Sequence, residues 1–222
     1  MSLKERIKKI MDEKNPIAVA RRAKMRKQLH NTAPTFLCPN CIGGILFHDL
    51  GLQFQSPTVN LMMEQRDFLR FVLNLDHYLS QPLVFFEKPG YACPCAYAGD
   101  ITIHFTHYHS AREAEEKWRE RSKRINRENL FIYMSERDGI TKEELMQLDA
   151  VKAKGIVVFT AHDYPDLPYT KYIEKYASDG EIGNILEKDW VTGRREYEKY
   201  FDFVRWFNEA NGADHAVVKF CR

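Results

Sequence analysis

From about residue 34 onward, short apolar stretches alternate with longer amphipathic ones, and few folds accept that pattern. The apolar stretches are 35–38, 83–86, 101–105, 130–134, 156–160 and 216–220; the amphipathic ones run about 61–79, 111–127, 142–151, 169–176 and 197–210. Strands that are apolar throughout must be covered on both faces, and intervening helices supply the cover. The pattern predicts an α/β protein, a three-layer α/β/α sandwich with a mostly parallel central sheet. Local signals agree. Thr141 with Glu144 is a capping box, Phe201, Val204, Phe207 and Ala210 lay one stripe along the last helix, and Trp118 with Ile125 marks the inner side of the 111–127 helix. No internal repeat interrupts the series.

In open α/β sheets, ligands bind beyond the carboxyl ends of the strands. Asn40, Cys41, Gly43 and Gly44 follow the first predicted strand, Lys88 the second, His107 and His109 the third. Arg137 and Asp138 follow the fourth, His162 and Asp163 the fifth. Cys41, next to two glycines that let backbone amides approach a ligand, has the makings of a nucleophile or of a small packed residue at a tight turn. As a nucleophile it would take its base from another strand end, with His48, His107, His109 and His162 available; His48, beside Asp49, and Asp138 are the candidate general bases. Arg137, Lys88 and His107 are candidate anion contacts, with Asn40, Gly43 and Gly44 lining the same edge. Arg137-Asp138-Gly139 equally reads as a turn. Gly43-Gly44 is only half of a nucleotide-binding fingerprint.

Cys38-x-x-Cys41 and Cys93-x-Cys95 bring four thiols into two pairs. Strand alternation turns Cys38 inward and the second spacing is short for zinc, so no metal is expected. His107 and His109 share one face with His104 on the other, so the pair lacks a third ligand, and its place before a helix suits an anion as well.

Among 222 residues, 33 basic and 31 acidic side chains sum to +2. That balance is uneven: residues 1–30 hold ten Lys or Arg and three acids, a charge of +7, which leaves −5 for the rest. Residues 1–30 are therefore read as a basic helical arm and 31–222 as one α/β/α domain. Leu3, Ile7, Ile10 and Met11 recur at helical spacing, and Asn15-Pro16 caps a second helix reaching about His30. The arm is expected to pack on the body or a second subunit, or to rest on anionic lipid. Nucleic acid is not expected. Apolar runs of about four residues exclude a bilayer-spanning helix, which needs about 20, and no apolar leader opens the chain. A cytoplasmic protein, held or not at the inner membrane face, is the expectation.

Several blocks occur in order: Asn40-Cys41-Ile42-Gly43-Gly44, Phe47-His48-Asp49-Leu50-Gly51-Leu52, Ser56-Pro57-Thr58-Val59-Asn60-Leu61, Gly99-Asp100-Ile101, His107-Tyr108, Lys117-Trp118 and Arg137-Asp138-Gly139. Together they resemble a bacterial family of unknown function whose members are often labelled exopolysaccharide or capsule biosynthesis proteins. Where that family reads Asn-Asn-Cys-Trp-Gly-Gly, this chain has Pro39 for the first Asn and Ile42 for Trp. The resemblance implies a three-layer α/β/α fold and a role in surface-polysaccharide synthesis, with no established reaction, cofactor or catalytic set. The expectation is a transferase acting on an anionic sugar or nucleotide-sugar; the alternative is a non-catalytic accessory protein docked at the membrane through the arm.

Overall fold

A computed structural model describes residues 15–212 and 216–221. The predicted stripe of Leu3, Ile7, Ile10 and Met11 lies outside the described residues. Four parallel strands form the main sheet in the order β1 (Thr35–Leu37), β5 (Leu130–Ser135), β6 (Gly155–Thr160), β7 (Thr170–Tyr172). Residues on one side of it, Phe36, Phe131, Tyr133 and Phe159, stack against Phe203, Trp206 and Phe207 of α7 (Phe203–Glu209). Residues of the opposite parity, Ile132, Met134, Ile156 and Val158, have no exposed surface. Both faces are covered, as the uniformly apolar strands require, and the chain is an α/β sandwich.

The remaining strands, β2 (Leu83–Phe86), β3 (Cys95–Ala98) and β4 (Ile101–His104), form a separate antiparallel sheet. Predicted strands 83–86 and 101–105 therefore exist but leave the parallel sheet. The reason is β3: Gly99 at φ 62 turns a tight β3–β4 hairpin, and a hairpin is antiparallel. Residues 62–63 join the two sheets. Met62 exchanges both backbone hydrogen bonds with His104, and the Met63 N–H donates to Pro39 O just beyond β1.

Asn15 caps α1 (Pro16–Gln28) by accepting from the Ile17 and Ala18 N–H groups, with Pro16 at the first helical position as predicted. Residues 61–79 begin extended and become α3 (Gln65–Leu73) and α4 (Leu75–Ser80). The 111–127 helix stops earlier, as α5 (Ala111–Ser122), and the Thr141–Glu144 capping box opens α6 (Lys142–Met146). Two assignments are corrected. Residues 169–176 hold β7 and a single 3-10 turn, because β6 needs an edge partner and the Ile173 N–H donates to Thr160 O. Residues 216–220 form no strand; Val218–Phe220 is a 3-10 turn that seats Phe220 on Phe201.

Candidate functional site

The chain leaves β1 through Cys38-Pro39-Asn40 and enters α2 (Ile42–Leu50), a helix where the sequence suggested a glycine loop. Cys38 is sealed beneath its first turn. Its N–H donates to Thr58 Oγ1, its thiol donates to Asn40 O, and the Gly43 N–H faces its sulfur. A Cβ on Gly43 would lie 2.7 Å from that sulfur, and one on Gly44 would lie 2.5 Å from Asn60 Oδ1. Both positions are glycine because side chains press on the first turn, so the pair serves close packing rather than phosphate binding. Asn40 Oδ1 accepts from the Ile42 N–H and starts the helix.

Cys41 stands at that N-terminus and turns the other way from Cys38. The seam between residues 62–63 and β4 brings the following loop against it, so that Cys41 Sγ is 3.2 Å from His107 Nε2 and 4.0 Å from Thr106 Oγ1. Thr106 Oγ1 also donates to Asn60 O, and Asn60 holds a left-handed backbone at φ 65. Cys41, Asn60, Thr106 and His107 thus form one polar cluster at the carboxyl end of β1. Cys41 is half-buried and His107 exposed. Burial pushes the Cys41 thiol up, against a smaller lowering by Thr106, so its resting form is the thiol and His107 is placed to take its proton.

This geometry separates the two thiols of the Cys-x-x-Cys pair. Burial pushes Cys38 up to about 12. Iodoacetamide is expected to alkylate Cys41 at a rate that climbs through alkaline pH, while Cys38 stays unmodified in the folded chain; peptide mapping after a pH series checks this. Equal labelling of both would contradict the buried placement of Cys38.

The other predicted residues are spread out. His48 lies in the last turn of α2, seven residues or about 10 Å along the axis from Cys41, exposed, with Nδ1 3.6 Å from Asp49 Oδ1. It does not reach Cys41, whereas His107 does. Asp138 and Gly139 are both left-handed, at φ 57 and 71, and make a tight turn. Asp138 Oδ2 accepts from the Gln65 N–H, and Arg66 donates to Gly139 O and pairs with Glu144. Arg137 lies 3.7 Å from Asp138, and both are open to solvent. Lys88 sits in the β2–β3 loop, its ammonium 4.7 Å above Tyr91. There it shares a cavity of about 900 Å³ with His109, Ser110 and Cys93. The α5 N-terminus beside that cavity is already satisfied: Ser110 Oγ accepts from the Glu113 N–H and Glu113 Oε2 from the His109 N–H. That carboxylate repels an anion. A second pair, Cys95 Sγ and His104 Nδ1 at 3.3 Å, is buried under Tyr91. Burial raises its thiol and lowers its imidazole, so the pair is neutral packing. Among the described residues no group of three or more His, Cys, Asp or Glu could hold a metal ion.

Sequence reasoning missed Thr106 and Asn60 as neighbours of Cys41, since only the seam between the sheets unites them. It also missed Glu136. This buried carboxylate accepts from the Ala161 and His162 N–H groups, from Tyr164 OH and from His162 Nδ1, and so ties the ends of β5 and β6 together.

Comparison with known proteins adds identity without an activity. Over 186 residues the chain is 39% identical to an uncharacterised protein of Haemophilus influenzae, covering 84% of this chain and 89% of that one. Residues 13–208 match the family described as a domain of unknown function, DUF1919, a stretch that takes in α1 as well as the body. The fold, with a Cys–His pair at the end of its edge strand, is therefore that of a member: the chain belongs to the DUF1919 family.

Proposed function

We propose that the protein is a thiol-dependent transferase in which Cys41 is the nucleophile and His107 its general base. The observation that carries the reading is the 3.2 Å approach of His107 Nε2 to Cys41 Sγ at the start of α2. A group with an electrophilic carbonyl fits a sulfur nucleophile best. The Sγ–H proton passes to His107 as the carbon–sulfur bond forms, and the leaving group departs with that proton. An acceptor hydroxyl then gives its proton to His107 and attacks the thioester carbonyl, the carbon–sulfur bond breaks, and the departing Cys41 sulfur takes the proton back from His107. The raised thiol favours this proton-coupled attack over a standing thiolate. Asn60 and Thr106 supply the polar wall. The acyl acceptor we propose is a hydroxyl of an anionic, phosphorylated or nucleotide-linked sugar of surface-polysaccharide synthesis, with Arg137 as the solvent-open cation on the same sheet end.

Cys41→Ser and His107→Ala are expected to lower polymer output at least about 100-fold in a strain that depends on this protein. Circular dichroism verifies that each variant is folded. Full output from both folded variants would end the reading.

A further inference from the structure

The outer side of α1 and the loop at 189–194 make a surface that the Cys41 chemistry does not use. Ile17, Trp190 and Val191 are 52%, 54% and 66% exposed, high values for large apolar side chains. They are neighbours, because Asn15 Nδ2 donates to Trp190 O at 3.2 Å and to Val191 O at 2.9 Å. The loop is also fixed. Asp189 Oδ1 accepts from both the Thr192 N–H and hydroxyl, and Gly193 turns at φ 70 against Ala18, whose Cβ would be 2.6 Å from a Cβ there. Beneath, Arg21 is paired with Asp49 and Glu198, so α1 is a docked platform and not a loose arm. A locked loop that presents Trp and Val outward is built for contact.

Charge selects the occupant. Residues 15–30 hold five Lys or Arg and no acid, and Lys24 and Lys27 are exposed along α1. A basic helix with an exposed Trp beside its apolar first turn matches the headgroup region of an anionic bilayer, where indole rings settle and cations are concentrated. We propose that α1 and the 189–194 loop lie on an anionic phospholipid bilayer, with Ile17, Trp190 and Val191 entering the headgroup layer.

The tryptophans make this directly measurable. The chain has three, and Trp118 and Trp206 are only 3% and 1% exposed. Quenching by a spin-labelled phospholipid therefore reports Trp190. The full-length protein is expected to float with phosphatidylcholine vesicles containing about one-quarter phosphatidylglycerol, to lose that binding in high salt, and to be quenched. Trp190→Ser with Val191→Ser should weaken flotation about tenfold. Lys24→Glu with Lys27→Glu should weaken it on the anionic vesicles. Cys41→Ser should bind as the unaltered protein, so loss of the catalytic reading leaves this one standing. Equal flotation on pure phosphatidylcholine, or none on the anionic vesicles, overturns the proposal. So does protection of Trp190 by self-association without vesicles, which would make the surface an interface between copies.

Discussion

Trp206→Ala is expected to lower the unfolding free energy by about 3–5 kcal/mol, the range for deleting a large aromatic from a packed core. The indole is 1% exposed and is the hub of the α7 side of the sheet. Its ring centroid lies 4.8 Å from that of Phe131, 5.5 Å from those of Phe201 and Phe207, 5.8 Å from Phe203 and 6.2 Å from Phe36. Those partners come from β1, β5, α7 and the approach to α7, so no single element can slide inward to refill the space. The backbone has been shaped to the ring as well: a Cβ on Gly155, at the start of β6, would stand 2.7 Å from two indole carbons. Gly155→Ala should therefore destabilise by overpacking, typically about 1–3 kcal/mol. Urea denaturation of the two variants checks both. A shift for Trp206→Ala of less than about 1 kcal/mol would mean that α7 is not the cover the sheet depends on.

What could be read in the sequence follows from what is local. The Asn15-Pro16 cap and the Thr141–Glu144 box are where capping chemistry puts them, and Phe201, Val204, Phe207 and Ala210 are all buried, although only Val204 and Phe207 lie within α7. The failures are of the opposite kind. Residues 169–176 carry helix-compatible residues, yet Thr170–Tyr172 is drawn into the sheet by the open edge of β6, a tertiary demand no local pattern announces. Gly43-Gly44 argued for a loop, but the glycines answer to Cys38 and Asn60 pressing on a helical turn. The site divides likewise. Cys41 and His107 were each legible as chemistry at a strand end. His48, His107, His109 and His162 were all open as the partner of Cys41, and which of them pairs was not legible, because His107 arrives through an antiparallel hairpin and the Met62–His104 seam, outside the parallel sheet whose edge suggested it. His48, beside Asp49 in sequence, was a candidate base and is carried off by the helix that Cys41 begins. The charge split was legible too, but the basic segment is bound to the acidic body through Arg21.

That bond gives a second large effect. Arg21→Met is expected to cost about 3–5 kcal/mol at neutral pH, since it leaves carboxylates buried without their cation. Arg21 Nη1 is 2.6 Å from Glu198 Oε2 and Nη2 is 2.9 Å from Asp49 Oδ2, with the three side chains 17%, 11% and 12% exposed. Burial already pushes the Glu198 carboxyl above its usual 4.5, against lowering by the Arg195 amide and Arg21. Its folded form therefore keeps a proton to higher pH than its unfolded form. Between those two values the folded state binds more protons, so this group's contribution to stability falls as pH rises. Removal of Arg21 takes away a lowering influence, raises the folded value further and widens that window. The defect should accordingly be smaller near pH 5, where protonation relieves the buried charge, and largest near pH 8, by roughly 1 kcal/mol or more between them. A second change, Glu198→Gln in the Arg21→Met background, should recover much of the alkaline loss, because an amide needs no counterion. Urea midpoints of the single and double variants at the two pH values decide the matter. A pH-independent defect that Glu198→Gln fails to relieve would mean that Arg21 holds α1 through its Nη1 contact with Met25 Sδ and not through the carboxylates.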